Sequence, residues 1–144
     1  MLTLVVGLAL AAAVVSANGQ LSSHLITADI PFDFVVADQT LPSGKYTVSK
    51  ASDNGKVLNI RSLDGKSSVA RLSNSVADPN ANGYVRMVFH RYGEQYFLAE
   101  VWSGDNNGRQ LIKSKEETRL EQERALIASK SDSSRKVVEV LALH

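Results

Sequence analysis

The residues best equipped for chemistry lie in one stretch, Tyr84 to Trp102, YVRMVFHRYGEQYFLAEVW. It holds His90, two arginines, two glutamates, three tyrosines and the chain's single tryptophan. A histidine near a carboxylate can move a proton, so His90 with Glu94 is the candidate acid–base pair. Nothing at a recognisable spacing supplies a nucleophile for it, and no catalytic residue is assigned. A second use is a shallow binding face made of Tyr84, Arg86, His90, Tyr96, Glu100 and Trp102. Aromatic and cationic groups of that kind stack a sugar or hold an acidic group. The plainest alternative is the wet side of a hairpin, where such groups pair across strands for ~0.2–1 kcal/mol each.

Register decides between these uses, because a slip of one residue turns every side chain over. A two-residue loop at Gly93-Glu94 sets Phe89 opposite Leu98 and His90 opposite Phe97. It also brings Glu100 and Arg91 onto the apolar face, a costly burial of charge. An odd loop at Arg91-Tyr92-Gly93 puts Val85, Met87, Phe89, Phe97, Ala99 and Val101 on one face. The other face then carries Tyr84, Arg86, His90, Tyr96, Glu100 and Trp102. Apolar patterning favours the odd loop, which leaves His90 in water.

Other chemistry is sparse. The chain has no cysteine, which removes disulfides, thiolate zinc sites and a cysteine nucleophile. His24, His90 and His144 lie far apart, without HExxH spacing, so neither metal nor cofactor is expected. Asp105-Asn106-Asn107-Gly108 offers loop oxygens but lacks the glutamate that completes a calcium loop, and reads as a turn. No GxSxG, phosphate-loop or dinucleotide fingerprint occurs. Lys+Arg 16 against Asp+Glu 15, a net charge of +1, gives no electrostatic footprint for nucleic acid.

The elements that position these residues are short. Ala28 to Asp38, ADIPFDFVVAD, alternates with Ile30, Phe32, Phe34 and Val36 on one side, the period of a half-buried strand. Leu41-Pro42-Ser43-Gly44 is a turn. Lys45 to Lys50 is a strand with Tyr46 and Val48 inward. Asn54-Gly55 and Asp64-Gly65 bracket a strand at Val57 to Ser62 with Leu58 and Ile60 inward. Another strand runs from Ser67 to Ser73, and a loop from Ser75 to Gly83. Such spacing is that of an antiparallel meander. After Trp102 comes a polar loop. Ser114 and Glu117 have capping-box spacing, and residues 115–130 are helix formers with a narrow apolar stripe of Leu120, Leu126 and Ile127. Lys136 to Leu143, KVVEVLAL, predicts a final strand.

The start of the chain has a different character. Leu2 to Val15 is an apolar run of fourteen residues, short of the ~20 a membrane span needs. It ends in Val15-Ser16-Ala17, the small-residue pattern of a secretory signal cut after Ala17. No lysine or arginine precedes Lys45. Either a basic segment lies upstream of this start, or the free amino group serves alone.

IPFDFVVADQTLPSGKYTV and VFHRYGEQYFLAEVW together resemble a family of small exported bacterial proteins. That family shares an "IPFxFxVxxxxLPxGxYxV" opening and an "HRYGxQYFLxxxW" hairpin. The resemblance covers roughly Ala28 to Leu120. It implies export and a single β domain, and brings no chemistry with it.

The expectation is a signal peptide, residues 1–17, followed by one β-rich domain, 18–144. Its fold class is mainly β: a small antiparallel barrel or sandwich with one helix near 115–130 and a final strand near 136–143. The chain is expected in the periplasm or outside the cell, with no stable membrane span once the signal is removed. Its expected role is a non-catalytic binding or surface-interaction module, with a carbohydrate or other small ligand and self-association as its open partners. Rivals are a structural subunit assembled by strand addition and a hydrolase-type enzyme with an unrecognised Asp/Glu/His site.

Overall fold

Glycine and proline divide the chain into strands too short to bury apolar side chains except by wrapping around a shared core. A computed structural model describes residues 24–80, 82–128 and 136–144. The expected signal peptide and its cleavage point lie outside the described residues. Ten strands and one helix follow in order: β1 His24–Ile30, β2 Phe34–Val36, β3 Gln39–Leu41, β4 Gly44–Lys50, β5 Val57–Ser62, β6 Ser68–Ala77, β7 Val85–Tyr92, β8 Gln95–Ser103, β9 Asn107–Leu111, α1 Lys115–Ala128 and β10 Lys136–Leu141. The expected class is therefore the observed one: mainly β, with one helix among the described residues and a final strand. No helix among them is long and apolar enough to cross a membrane.

The strands join in the order β1-β4-β5-β6-β9-β8, with β7 and then β10 continuing beyond β8. Every pairing is antiparallel except β2 with β8, which meet in parallel at Val35 and Phe97. One edge of β8 runs along β7, and its other edge is shared by β9, at Glu100 to Trp102, and β2. The sheet does not close as a continuous ladder. Its two ends, β1 and the residues just past β10, meet at one bridge, where Thr27 and Leu143 exchange both backbone hydrogen bonds at 2.7 and 2.8 Å.

The wrapping is visible in the core. Phe34 lies edge-on to Tyr46 of β4 at 5.0 Å and to Phe89 of β7 at 5.5 Å, joining distant parts of the sheet. Ile26, Ile30, Val48, Leu58, Ile60, Met87, Leu98 and Val101 belong to the same buried cluster. Tyr46 keeps its hydroxyl satisfied by donating to the Pro42 carbonyl at 2.6 Å.

The sequence expectations need several corrections. The segment Ala28 to Asp38 is not one strand, because the chain turns at Pro31 to Asp33 between β1 and β2; proline has no N–H to continue the ladder. The inward pattern survives the break, with Ile30, Phe34 and Val36 buried. Strand β6 runs on to Ala77, into the expected loop, because β9 forms beside it from Asn107 to Leu111, a stretch whose start was expected as loop. The apolar stripe of α1 is also different. Leu126 is 77 % exposed and Ile127 55 % exposed, while Glu117 is buried, with Leu120 and Arg124 half-buried on the same side.

The hairpin register is the correction with most consequence. Tyr92 pairs with Gln95 across a two-residue loop, Gly93-Glu94, and Phe89 pairs with Leu98, so the favoured odd loop is not formed. Gly93 takes φ of 61° at the first loop position, the place a type II′ hairpin reserves for glycine. The objection to this register was charge on the apolar face, and a bulge removes it. Val88 faces Glu100 while Phe89 faces Leu98, so Ala99 is the extra residue. Met87 with Val101 and Phe89 with Leu98 thus share the core face, while Glu100 turns outward. Phe97 and Ala99 leave the face expected for them. Arg91, on the core side, sits at the sheet's end with its guanidinium 5.4 Å from the Tyr96 ring.

Candidate functional site

The face of β7 and β8 directed away from the core carries Arg86, Val88, His90 and Tyr92 opposite Trp102, Glu100, Phe97 and Gln95. Water does not cover all of it, because α1 lies over the loop end. Two clamps put the helix there. Arg71 donates to the carbonyls of Ile112 and Lys113 at 2.9 and 2.7 Å, fixing the link from β9. Ser114 caps the helix, its Oγ accepting from the N–H of Glu117 at 3.1 Å.

In a capping box the glutamate side chain would turn back to the cap's own N–H. Glu117 instead points at the sheet. Its Oε1 lies 2.7 Å from Nδ1 of His90 and accepts from the Tyr92 hydroxyl at 3.3 Å. Glu117 is 2 % exposed and His90 8 %. The ring of Tyr92 rests edge-on against Phe97 at 5.7 Å and lies beneath the Arg124 guanidinium at 5.3 Å. The helix is thus held to the sheet by a buried polar cluster and only weakly by apolar packing.

This bonding pattern assigns the imidazole tautomer. An oxygen that already accepts from Tyr92 also accepts from His90, so Nδ1 carries the hydrogen, and in the neutral ring Nε2 is an acceptor. Nε2 bonds to no described residue, yet no fully buried side-chain nitrogen or oxygen among the described residues lacks a partner. Nε2 therefore reaches solvent. The space His90 lines is a pocket of about 200 Å³ between sheet and helix, also bordered by Asn74, Ala99, Gln110, Lys113 and Glu117.

The six residues of the candidate binding face do not come together. Tyr84 precedes β7 and is 61 % exposed. Tyr96 lies on the core side of the hairpin, stacked on Phe32 at 3.8 Å. Arg86, Glu100 and Trp102 do form a cluster: the Arg86 guanidinium lies 4.7 Å from the Trp102 ring centre, and Trp102 Nε1 donates to Glu100 at 2.8 Å. Trp102 presents no stacking platform, because Arg86 covers one side and Gly108 of β9 approaches the ring so closely that a Cβ there would lie 2.6 Å from it. The candidate His90–Glu94 pair is not formed. Glu94 is at the exposed hairpin tip, 3.8 Å from Arg91. Asp105 acts as a turn residue, accepting from the N–H of Asn107 at 3.2 Å. No group of three or more metal-ligating side chains occurs among the described residues.

The residue missed from sequence was Glu117. Its signal was the Ser114–Glu117 spacing, which fits a cap equally well, and its place one turn before Leu120 and two before Arg124 on the sheet-facing side. No protein-family model, no curated protein and no solved structure matches this chain.

Proposed function

We propose that this protein is an exported, non-catalytic binding module whose ligand site is the pocket between α1 and the β6–β9–β8–β7 face. The observation that supports it is the imidazole of His90, fixed at Nδ1 by Glu117 and open at Nε2 beside that pocket. A polar group held in one orientation by a buried partner is the usual anchor of a small-ligand site. The test is saturation-transfer NMR with a library of neutral, cationic and anionic fragments. Ile112 lines the pocket and is partly exposed, so Ile112→Trp fills the entrance without touching the core. Fragments should bind the wild type and Leu63→Trp, a change at an exposed site elsewhere, and fail to bind Ile112→Trp. Binding that ignores Ile112→Trp, or no binding at all, sinks the proposal.

Export is part of the same proposal, resting on the apolar run and Val15-Ser16-Ala17. Protein secreted by a bacterial host should have the intact mass of a chain beginning at Asn18. Full-length mass in a soluble fraction contradicts it.

One observation favours an enzyme as the second reading: a carboxylate-oriented histidine facing a pocket is the geometry of a general base. Against it, no serine or threonine hydroxyl among the described residues bonds to His90. Ester hydrolysis that vanishes in His90→Ala while the fold survives would make this reading the better one. Assembly by donation of the final strand has less support, since β10 pairs with β7 of its own chain from Lys136 to Leu141.

A further inference from the structure

We infer that the ligand of the His90 pocket is a neutral, polyhydroxylated molecule about the size of one sugar ring, held edge-on by hydrogen bonds and not by aromatic stacking. The inference rests on the binding reading above and names its ligand class.

Size sets the first limit. The pocket's volume is about 200 Å³. It is smaller than the ~300–1,000 Å³ of sites for drug-sized ligands.

Charge sets the second. Among the described residues Lys113 is the only lysine or arginine lining the pocket, and its Nζ lies 2.6 Å from Glu121. The Glu117 carboxylate is at the wall, and Glu100 pairs in register with Gln110 on the same face. An anionic ligand would meet the Glu117 carboxylate without an uncommitted cation among the described residues. A cationic ligand would meet Lys113 and a Glu117 oxygen that already accepts from His90 and Tyr92. A neutral ligand avoids both costs.

Hydrogen bonding sets the third. Asn74 and Gln110 stand directly opposite each other on β6 and β9. Neither side-chain amide bonds to another described residue, so each keeps two donors and an acceptor for a ligand. His90 Nε2 adds a polar atom with a fixed direction, an acceptor in the neutral ring. Neighbouring hydroxyls, each both donor and acceptor, match this set. Stacking is not on offer, since Trp102 is covered by Arg86 and Gly108, and Tyr96 by Phe32.

The experiment is an NMR titration of the secreted protein with D-glucose, N-acetyl-D-glucosamine and myo-inositol, against acetate and methylammonium. At least one polyol should saturably shift the His90 ring and the Asn74 and Gln110 amide signals. Asn74→Ala and Gln110→Ala should each weaken that polyol about fivefold, roughly one lost hydrogen bond, and leave the denaturant midpoint unchanged because both side chains are exposed. Acetate or methylammonium saturating those signals while the polyols do not would overturn the ligand class and leave the pocket in place. Polyol binding indifferent to both alanine variants would overturn it too. Silence from these probes combined with silence in the fragment screen would remove the pocket as well.

Discussion

Glu117 Oε1 sits 2.7 Å from His90 Nδ1, tying the first turn of α1 to the hairpin end of β7 across 27 positions of chain. Both side chains are buried, and Tyr92 shares the same oxygen. Removing either partner strands the other away from water. Glu117→Ala should therefore cost about 3 kcal/mol, the usual loss when one member of a buried pair is deleted. His90→Ala should cost about 2 kcal/mol. The double variant should cost at least about 1 kcal/mol less than the sum, because the second deletion removes a group already orphaned. Urea midpoints of the four proteins complete the cycle. Additive costs would mean that the two residues act independently.

A methyl group at position 108 has nowhere to go. Gly108→Ala should destabilise by about 1–3 kcal/mol, the range for overpacking, by pushing the Trp102 ring off its place between Gly108 and Arg86. The single tryptophan reports this directly. Its emission should shift to the red and its quenching by iodide should rise. An unchanged spectrum would show that the ring has room the structure does not give it.

Burial pushes the Tyr46 phenol above the ordinary tyrosine range. A raised value means that the folded chain holds this proton when the unfolded chain has released it. The contribution to stability is complete below about pH 10, the unfolded value, and is lost as pH rises through the folded value. Tyr46→Phe should cost about 1 kcal/mol at neutral pH through the lost bond to the Pro42 carbonyl, and should flatten the alkaline decline. Denaturation curves from pH 8 to 11 give both numbers. A decline as steep as the wild type's would mean that Tyr46 ionises alike in both states.

Strand β10 covers β7, and Val138 and Val140 pack against the core. Deleting residues 136–144 should abolish the cooperative thermal transition and produce aggregates, since it bares an edge and a core wall together. Circular dichroism and size-exclusion chromatography decide the outcome. A folded, monomeric truncation would show that the remaining nine strands suffice.

Much of the fold is legible where turn residues are unambiguous. Pro42 to Gly44, Asn54-Gly55 and Asp64-Gly65 mark the ends of β4, β5 and β6, and alternation between them identifies Tyr46, Val48, Leu58 and Ile60 as core. The rest depends on partners far along the chain. Strand β9 exists because β6 and β8 each offer it an edge, which a local pattern of Asn, Gly, Arg and Gln does not announce. The bulge at Ala99 defeats strict alternation, and with it the expected hairpin register. His90 was read as wet because alternation tells which side a residue faces, and not that a helix some 25 residues later will cover that side. The site was half visible: His90 stands out by type, while Glu117 is disguised as a cap.

The single bridge between Thr27 and Leu143 has a consequence for the order of folding. β1 and the chain beyond β10 meet only after more than a hundred intervening residues are in place, so the wall's last contact is also its most distant in sequence. Long-range pairings of this kind slow folding, because loop-closure entropy is lost before any contact offsets it. Until residues 136–143 arrive, the outer edges of β1 and β7 stand open together and the core behind Phe89 is incompletely covered. From the time β7 is complete until the last residues appear, a chain under synthesis therefore carries two unpaired strand edges, the interval in which edge-to-edge aggregation competes with folding. Amide exchange in the finished protein should retain a trace of this history, with the N–H groups of Thr27 and Leu143 opening before those of β4 and β5.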